Sequence, residues 1–159
     1  MKAQLVLLLY SFISATAYGA SSYIGIDGKE HAYAIQPQFK RAYPFSEGLA
    51  VVGVSQSADW REYKFGFINH VGQWVIQPQF DEASKFSGGL ARVGFCGGYN
   101  KTNTNDISRD CKYGYIDKAG RFVINPQFDY AESFHLGLAT VENKASDGSW
   151  LPSTYIDAS

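Results

Sequence analysis

Cysteine is scarce in this chain of 159 residues: there are two, Cys96 and Cys111. Two cysteines cannot build a disulfide-dense scaffold, and their spacing is not the Cys-x-x-Cys of a redox or zinc motif. Excess charge is lacking too. The 14 basic residues against 15 acidic leave a net charge of −1, and nothing in the sequence suggests the clustered basic face that meets nucleic acid. Beyond the N-terminal leader no apolar run is long enough for a membrane-spanning helix. Histidine is limited to His31, His70 and His135. They fall at three different registers of the repeat described below, so internal symmetry does not gather them into a metal site. No serine sits in a nucleophile elbow, and Gly97-Gly98 lacks the strand–loop–helix context of a phosphate loop. With no apparent set of acid, base and nucleophile, the expectation is a protein that is not an enzyme and takes no cofactor or metal.

What the chain has is one stretch, three times. Ile-x-Pro-Gln-Phe-x-x-Ala-x-x-Phe-x-x-Gly-Leu-Ala-x-Val occurs without insertion or deletion at 35–52, 76–93 and 124–141. The prolines Pro37, Pro78 and Pro126 stand about 41 and 48 residues apart, within the range of repeat architectures. Aromatics make up 16% of the chain, and most occupy repeat positions, which marks them as core rather than as a ligand platform.

Each repeated position has a mechanical reading. Trp74-Val75-Ile76 and Phe122-Val123-Ile124 are β-branched and aromatic runs suited to a pleated surface. The proline that follows has no N–H and is expected to stop the ladder. Phe39, Phe80 and Phe128, then Phe45, Phe86 and Phe134, are large anchors either side of a small alanine. Gly48, Gly89 and Gly137 are predicted to adopt positive φ or allow a close approach before the next strand. In that strand Ala50/Val52, Ala91/Val93 and Ala139/Val141 share one face, the expected core. Val51, Arg92 and Thr140 lie between them and are expected to meet solvent. Upstream, 64–69 and 112–117 lead through short Gly-containing links into the Ile-bearing strand, which predicts a β-hairpin in each unit. The acids after Pro-Gln-Phe, Asp81 and Asp129, suit turns that bond backbone N–H groups. The invariant Gln38, Gln79 and Gln127 are read as satisfying backbone groups in the connection.

The pattern Tyr-Gly-Tyr-Ile-Asp-Lys-Ala-Gly-Arg-Phe-Val-Ile-Asn-Pro-Gln-Phe-Asp at 113–129, continued by Phe134 and Gly137-Leu138-Ala139-Thr140-Val141, resembles the WG (KWG) repeat family. The Trp-Gly pair that names the family stands here as Phe65-Gly66 and Tyr113-Gly114, with Ile24-Gly25 in the first copy. The resemblance implies a β-rich repeat domain of a kind widespread in bacteria and no defined activity.

The remaining segments set location and surface. Lys2, the apolar run 5–13 and Ala15-Thr16-Ala17 predict a signal peptide over 1–17, with cleavage as late as residue 20. The chain is then exported, periplasmic or secreted, with no membrane span after cleavage. In that setting Cys96 and Cys111 predict one disulfide closing a loop of about 15 residues, contributing about 3 kcal/mol by chain entropy. A single domain is expected over 23–159, with repeats at 23–52, 64–93 and 112–141 and a capping strand of a truncated fourth repeat at 153–157. The fold class is all-β: tandem antiparallel β-hairpin repeats stacked in an open, curved array, or alternatively an incomplete propeller-like arrangement, since three units are too few to close one. Function is read as an exported non-catalytic binding module for an unknown protein. The alternatives are a cell-envelope carbohydrate or peptidoglycan binder and a small hydrolase. Trp60, Arg92, Tyr99 and Arg109 are the candidate binding residues, because variable and inserted positions carry specificity in repeat arrays.

Overall fold

The structure is a computed structural model that describes residues 22–24, 30–32, 35, 39–55, 63–97 and 110–158. The expected leader, Trp60, Tyr99 and Arg109 lie outside the described residues. Among the described residues there is no helix, every strand pairing is antiparallel, and no sheet closes into a barrel. The chain divides into two compact units, Met1–Gln36 and Pro37–Ser159. In the first, β1 (Ser22–Ile24) and β2 (Glu30–Ala32) form a hairpin pairing Tyr23 with His31.

Among the described residues the second unit holds three sheets, in which each strand neighbours the one before it in sequence. The first sheet is β3 (Arg41–Ala42), β4 (Ala50–Val54), β5 (Lys64–Ile68) and β6 (Trp74–Phe80). The next is β7 (Glu82–Ala83), β8 (Ala91–Cys96), β9 (Cys111–Ile116) and β10 (Phe122–Phe128). The last has three strands, β11 (Tyr130–Ala131), β12 (Leu138–Glu142) and β13 (Thr154–Asp157). Each sheet thus joins the end of one sequence repeat to the start of the next. Val52 pairs with Gly66, Val93 with Gly114 and Val141 with Thr154. The predicted hairpins are β5–β6 and β9–β10. Asn69 and Asp117 close them as Asx turns: each Oδ1 accepts two backbone N–H bonds, at 3.1 and 2.9 Å and at 2.9 and 3.0 Å.

Pro78 and Pro126 do not stop the ladder; Pro37 lies outside the described residues. β6 runs through Pro78 and β10 through Pro126, with a register shift in each pairing. Phe65 faces Phe80 while Phe67 faces Ile76, so the proline sits on a bulge, where its missing N–H costs no ladder bond. The bulge folds over the glycine of the aromatic–Gly pair. A Cβ on Gly66 would lie 2.5 Å from the Ile76 carbonyl oxygen and 2.8 Å from the Pro78 nitrogen. Gly114 has the same neighbours, Ile124 O at 2.5 Å and Pro126 N at 2.7 Å.

The Phe-x-x-Gly-Leu corner is a two-residue turn with both central residues left-handed: Glu47 and Gly48 at φ 52° and 91°, Gly88 and Gly89 at 63° and 80°, Leu136 and Gly137 at 51° and 84°. Ser46 and Leu49 exchange both backbone bonds across it, at 2.8 and 3.1 Å. This is the primed turn whose twist matches the flanking strands.

Packing joins successive sheets. Leu49, Val51 and Phe67 of the first sheet bury against Phe86, Ala91 and Val93 of the second, and the Phe67 and Phe86 ring centroids lie 4.9 Å apart. One repeat on, Leu90 and Tyr115 meet Phe134, Ala139 and Val141, with Tyr115 and Phe134 again 4.9 Å apart. Val51 packs in the cluster that joins the first two sheets and is buried, not turned to solvent as its alternating place suggested. Of the expected core, Ala50, Val52, Phe80, Phe86, Ala91, Val93, Phe134, Ala139 and Val141 are buried. Phe39 and Phe128 are half-buried. Phe45 is not core: it is 38% exposed, and its ring stacks on His70 at 4.2 Å.

Candidate functional site

The same side chains are covered at the first two sheets and uncovered at the third. Leu49 and Leu90 are 8% and 7% exposed, whereas Leu138 is 47% exposed. Phe67 and Tyr115 have no exposed surface, whereas Tyr155 of β13 is 71% exposed. Leu136, Trp150 and Leu151 are exposed in the same part of the chain. The clip between repeats changes as well. Ser46 Oγ donates to Phe86 O at 2.8 Å and Ser87 Oγ to Phe134 O at 2.6 Å. The third repeat has His135 at that position.

Two features mark the third sheet. β13 is its outermost strand, with no strand paired beyond it among the described residues, whereas β6 and β10 occupy that place in the first two sheets. Beside it an open-sided pocket of about 490 Å³ is lined by Phe128, Val141, Glu142, Asn143, Leu151, Pro152, Thr154 and Ile156. One repeat earlier, Phe95 covers Phe80 at 5.6 Å and Phe122 of β10 lies 6.2 Å from Phe95. Asn143 replaces Phe95 in the third repeat, so Phe128 keeps an open flank. Asn143 Oδ1 accepts from Asp129 N at 3.2 Å, and its carbonyl from Leu151 N at 2.9 Å.

Arg92 is not an outward binding residue. It is the counterpart of Val51 and lies between the second and third sheets. Its Nη1 donates to Ala131 O at 2.8 Å, and its guanidinium stands 4.9 Å from the Tyr113 ring centroid and 3.8 Å from the Glu82 carboxylate. Tyr113 Oη donates to Glu82 at 2.9 Å and Tyr115 Oη to Glu132 O at 2.7 Å. Burial pushes both phenols up to about 12, and for Tyr113 the Glu82 hydrogen bond adds to it. This seam is polar where the first is Val51, Phe65 and Phe67. Trp60, Tyr99 and Arg109 lie outside the described residues, so the geometry joins none of them to Arg92.

Cys96 and Cys111 form the expected disulfide, bridging paired positions of β8 and β9. Glu82 has its carboxylate within 4.8 Å of both sulfurs, but the sulfurs are bonded to each other and Glu82 accepts from Tyr113. Asp81 and Asp129 take the structural part expected of them. Each bonds a lysine at 2.7 Å, Lys64 or Lys112, and accepts a backbone N–H, from Cys96 at 3.1 Å or Lys144 at 2.9 Å. Lys112 and the Lys144 amide hold the Asp129 carboxyl below its usual range. Asn143, Leu138, Thr154 and Tyr155 were not singled out by sequence reasoning. The available signal was a break in the repeat: Asn143 where Phe95 stands, Thr154 where Gly114 stands, Leu136 where Gly88 stands.

A family model described as "WG containing repeat" matches residues 27–54, 65–95 and 113–144. No curated protein and no solved structure matches the chain.

Proposed function

Since this chain belongs to the WG-containing repeat family, we propose that it is an exported, non-catalytic binding module whose contact region is the third sheet. The observation that carries this reading is the exposure of Leu138 and Tyr155, whose counterparts Leu49, Leu90 and Tyr115 are buried under the following sheet. Exposed apolar groups on an otherwise regular array mark an interaction surface. A rigid stack with open pairing capacity suits a polypeptide partner better than a sugar. The glycan alternative places its stacking platform on Trp60 or Tyr99, outside the described residues. Export is supported by the leader-like N-terminus and by the Cys96–Cys111 disulfide, which suits an oxidising compartment.

The experiment is capture from a cell-envelope extract with the immobilised chain and with a Leu138→Ser, Tyr155→Ser variant. Retention of specific proteins by the parent and their loss from the variant is the expected result. Equal capture by both refutes the assignment of this region.

A further inference from the structure

The first two sheets show what belongs at the outer edge of the third. In each, the strand pairing Val52 or Val93 is followed by one more, β6 or β10, an extended apolar segment that completes the sheet. In the second sheet that strand also brings Phe122 against Phe95 and so closes the flank of Phe80. At the third sheet no strand pairs beyond Thr154–Ile156 of β13 among the described residues, and the pocket on Phe128 lies where that closure would fall. Unpaired backbone beside a pocket for an apolar side chain is the arrangement by which a sheet takes up a strand from another protein.

The edge also selects the kind of strand. Gly66 and Gly114 pair with Val52 and Val93, and Thr154 pairs with Val141 in the same register. The Ile-x-Pro bulge comes within 2.5 Å of where a Cβ on either glycine would be. Thr154 carries that Cβ. A bulged strand of the chain's own type is thus shut out, whereas a straight one is not.

We propose that the edge of β13 at Thr154–Ile156 and the adjoining pocket receive a straight, proline-free extended segment of a partner protein, which seats one bulky apolar side chain on Phe128. This rests on the binding-module reading and names the chemistry of its partner. The segment resembles the first half of β10 without its proline: aromatic and β-branched residues in alternation, as in Phe122-Val123-Ile124.

The test uses two fluorescein-labelled synthetic peptides of residues 121–128, a straight one carrying Pro126→Thr and a bulged one with the native Ile-Asn-Pro-Gln-Phe. Fluorescence anisotropy is followed on titration with the chain. The straight peptide is expected to saturate, and the bulged one to bind about tenfold more weakly or worse, the equivalent of one or two strand hydrogen bonds. Thr154→Gly is expected to remove most of that difference by admitting the bulge. Asn143→Phe, which restores the Phe95 counterpart and fills the pocket, is expected to weaken the straight peptide about tenfold. Failure of the straight peptide to saturate overturns the proposal, as does equal binding by parent and Asn143→Phe, or dimerisation of the chain through β13 that competes with the peptide. If the peptides fail while extract capture still depends on Leu138 and Tyr155, this inference falls and the binding-module reading stands. If both fail, the reading itself falls.

Discussion

Phe86→Ala is the perturbation that most sharply separates stacked sheets from independent hairpins. The Phe86 ring is 1% exposed and lies 4.9 Å from Phe67 across the seam between the first and second sheets. Truncation removes the transfer free energy of the ring and leaves a cavity lined by Leu49, Phe67 and Val93, so the loss is about 3 to 5 kcal/mol. That is a large part of the 5–15 kcal/mol typical of a domain. Phe45 holds the same repeat position but is 38% exposed against His70. Water refills the space it vacates, and Phe45→Ala is expected to cost roughly 1.5 kcal/mol. Phe134→Ala, 3% exposed at the second seam, is expected to follow Phe86. Urea unfolding of the three variants, monitored by circular dichroism and tryptophan fluorescence, gives the comparison at constant slope. Equal losses at Phe45 and Phe86 would refute the seam as the seat of stability.

Other outcomes follow from the same contacts. Tyr113 and Tyr115 have phenols raised from 10.0 to about 12 in the folded chain, so their stabilisation is complete below pH about 10 and is lost as pH rises towards about 12. Fully buried Tyr115 contributes most of it, on the order of 2 kcal/mol, and Tyr115→Phe should flatten the alkaline limb of a Tm-against-pH profile; an unchanged limb contradicts this. Reducing Cys96–Cys111 should lower stability by about 3 kcal/mol, and thiol titration of the unreduced, denatured chain should find no free thiol. Leu136, at φ 51° and 91% exposed, carries left-handed strain with little burial to offset it. Leu136→Gly should stabilise by about 1 kcal/mol, and a lower Tm would show that the turn tolerates leucine without cost.

Much of the fold was legible because the repeat prints its own alignment. The β5–β6 and β9–β10 hairpins, the left-handed Gly48, Gly89 and Gly137, and the Phe–Ala–Val core follow from residue types at fixed spacing. The phase of the sheets does not. Spacing shows which segments are equivalent but not whether β8 pairs backward with β5 or forward with β9, and the structure chooses the forward neighbour. Alternation along β4 misled as well: Val51 is as buried as Val52, and where both faces of a strand are covered alternation carries no information on exposure. Pro78 read as a strand end because its missing N–H is a local fact, whereas the bulge that absorbs it depends on Gly66 in the neighbouring strand. Arg92 read as a surface residue because its position varies among the copies and alternates away from the Ala/Val face, although its guanidinium has a buried carbonyl and an aromatic ring to meet. Leu138 could not be distinguished from Leu49 or Leu90, since its exposure depends on what lies beyond it. Thr154 and Asn143 were visible as departures from the repeat, but their meaning required the register.

The most direct test of sheets shared between successive repeats, with the third left open, is the set of cross-strand backbone NOEs in the labelled chain. Contacts of Val52 with Gly66, Val93 with Gly114 and Val141 with Thr154 are expected, with none joining Thr154–Ile156 to a further strand. Contacts linking Val93 to the Lys64–Ile68 strand, or a second partner strand on β13 in the isolated chain, would contradict the account.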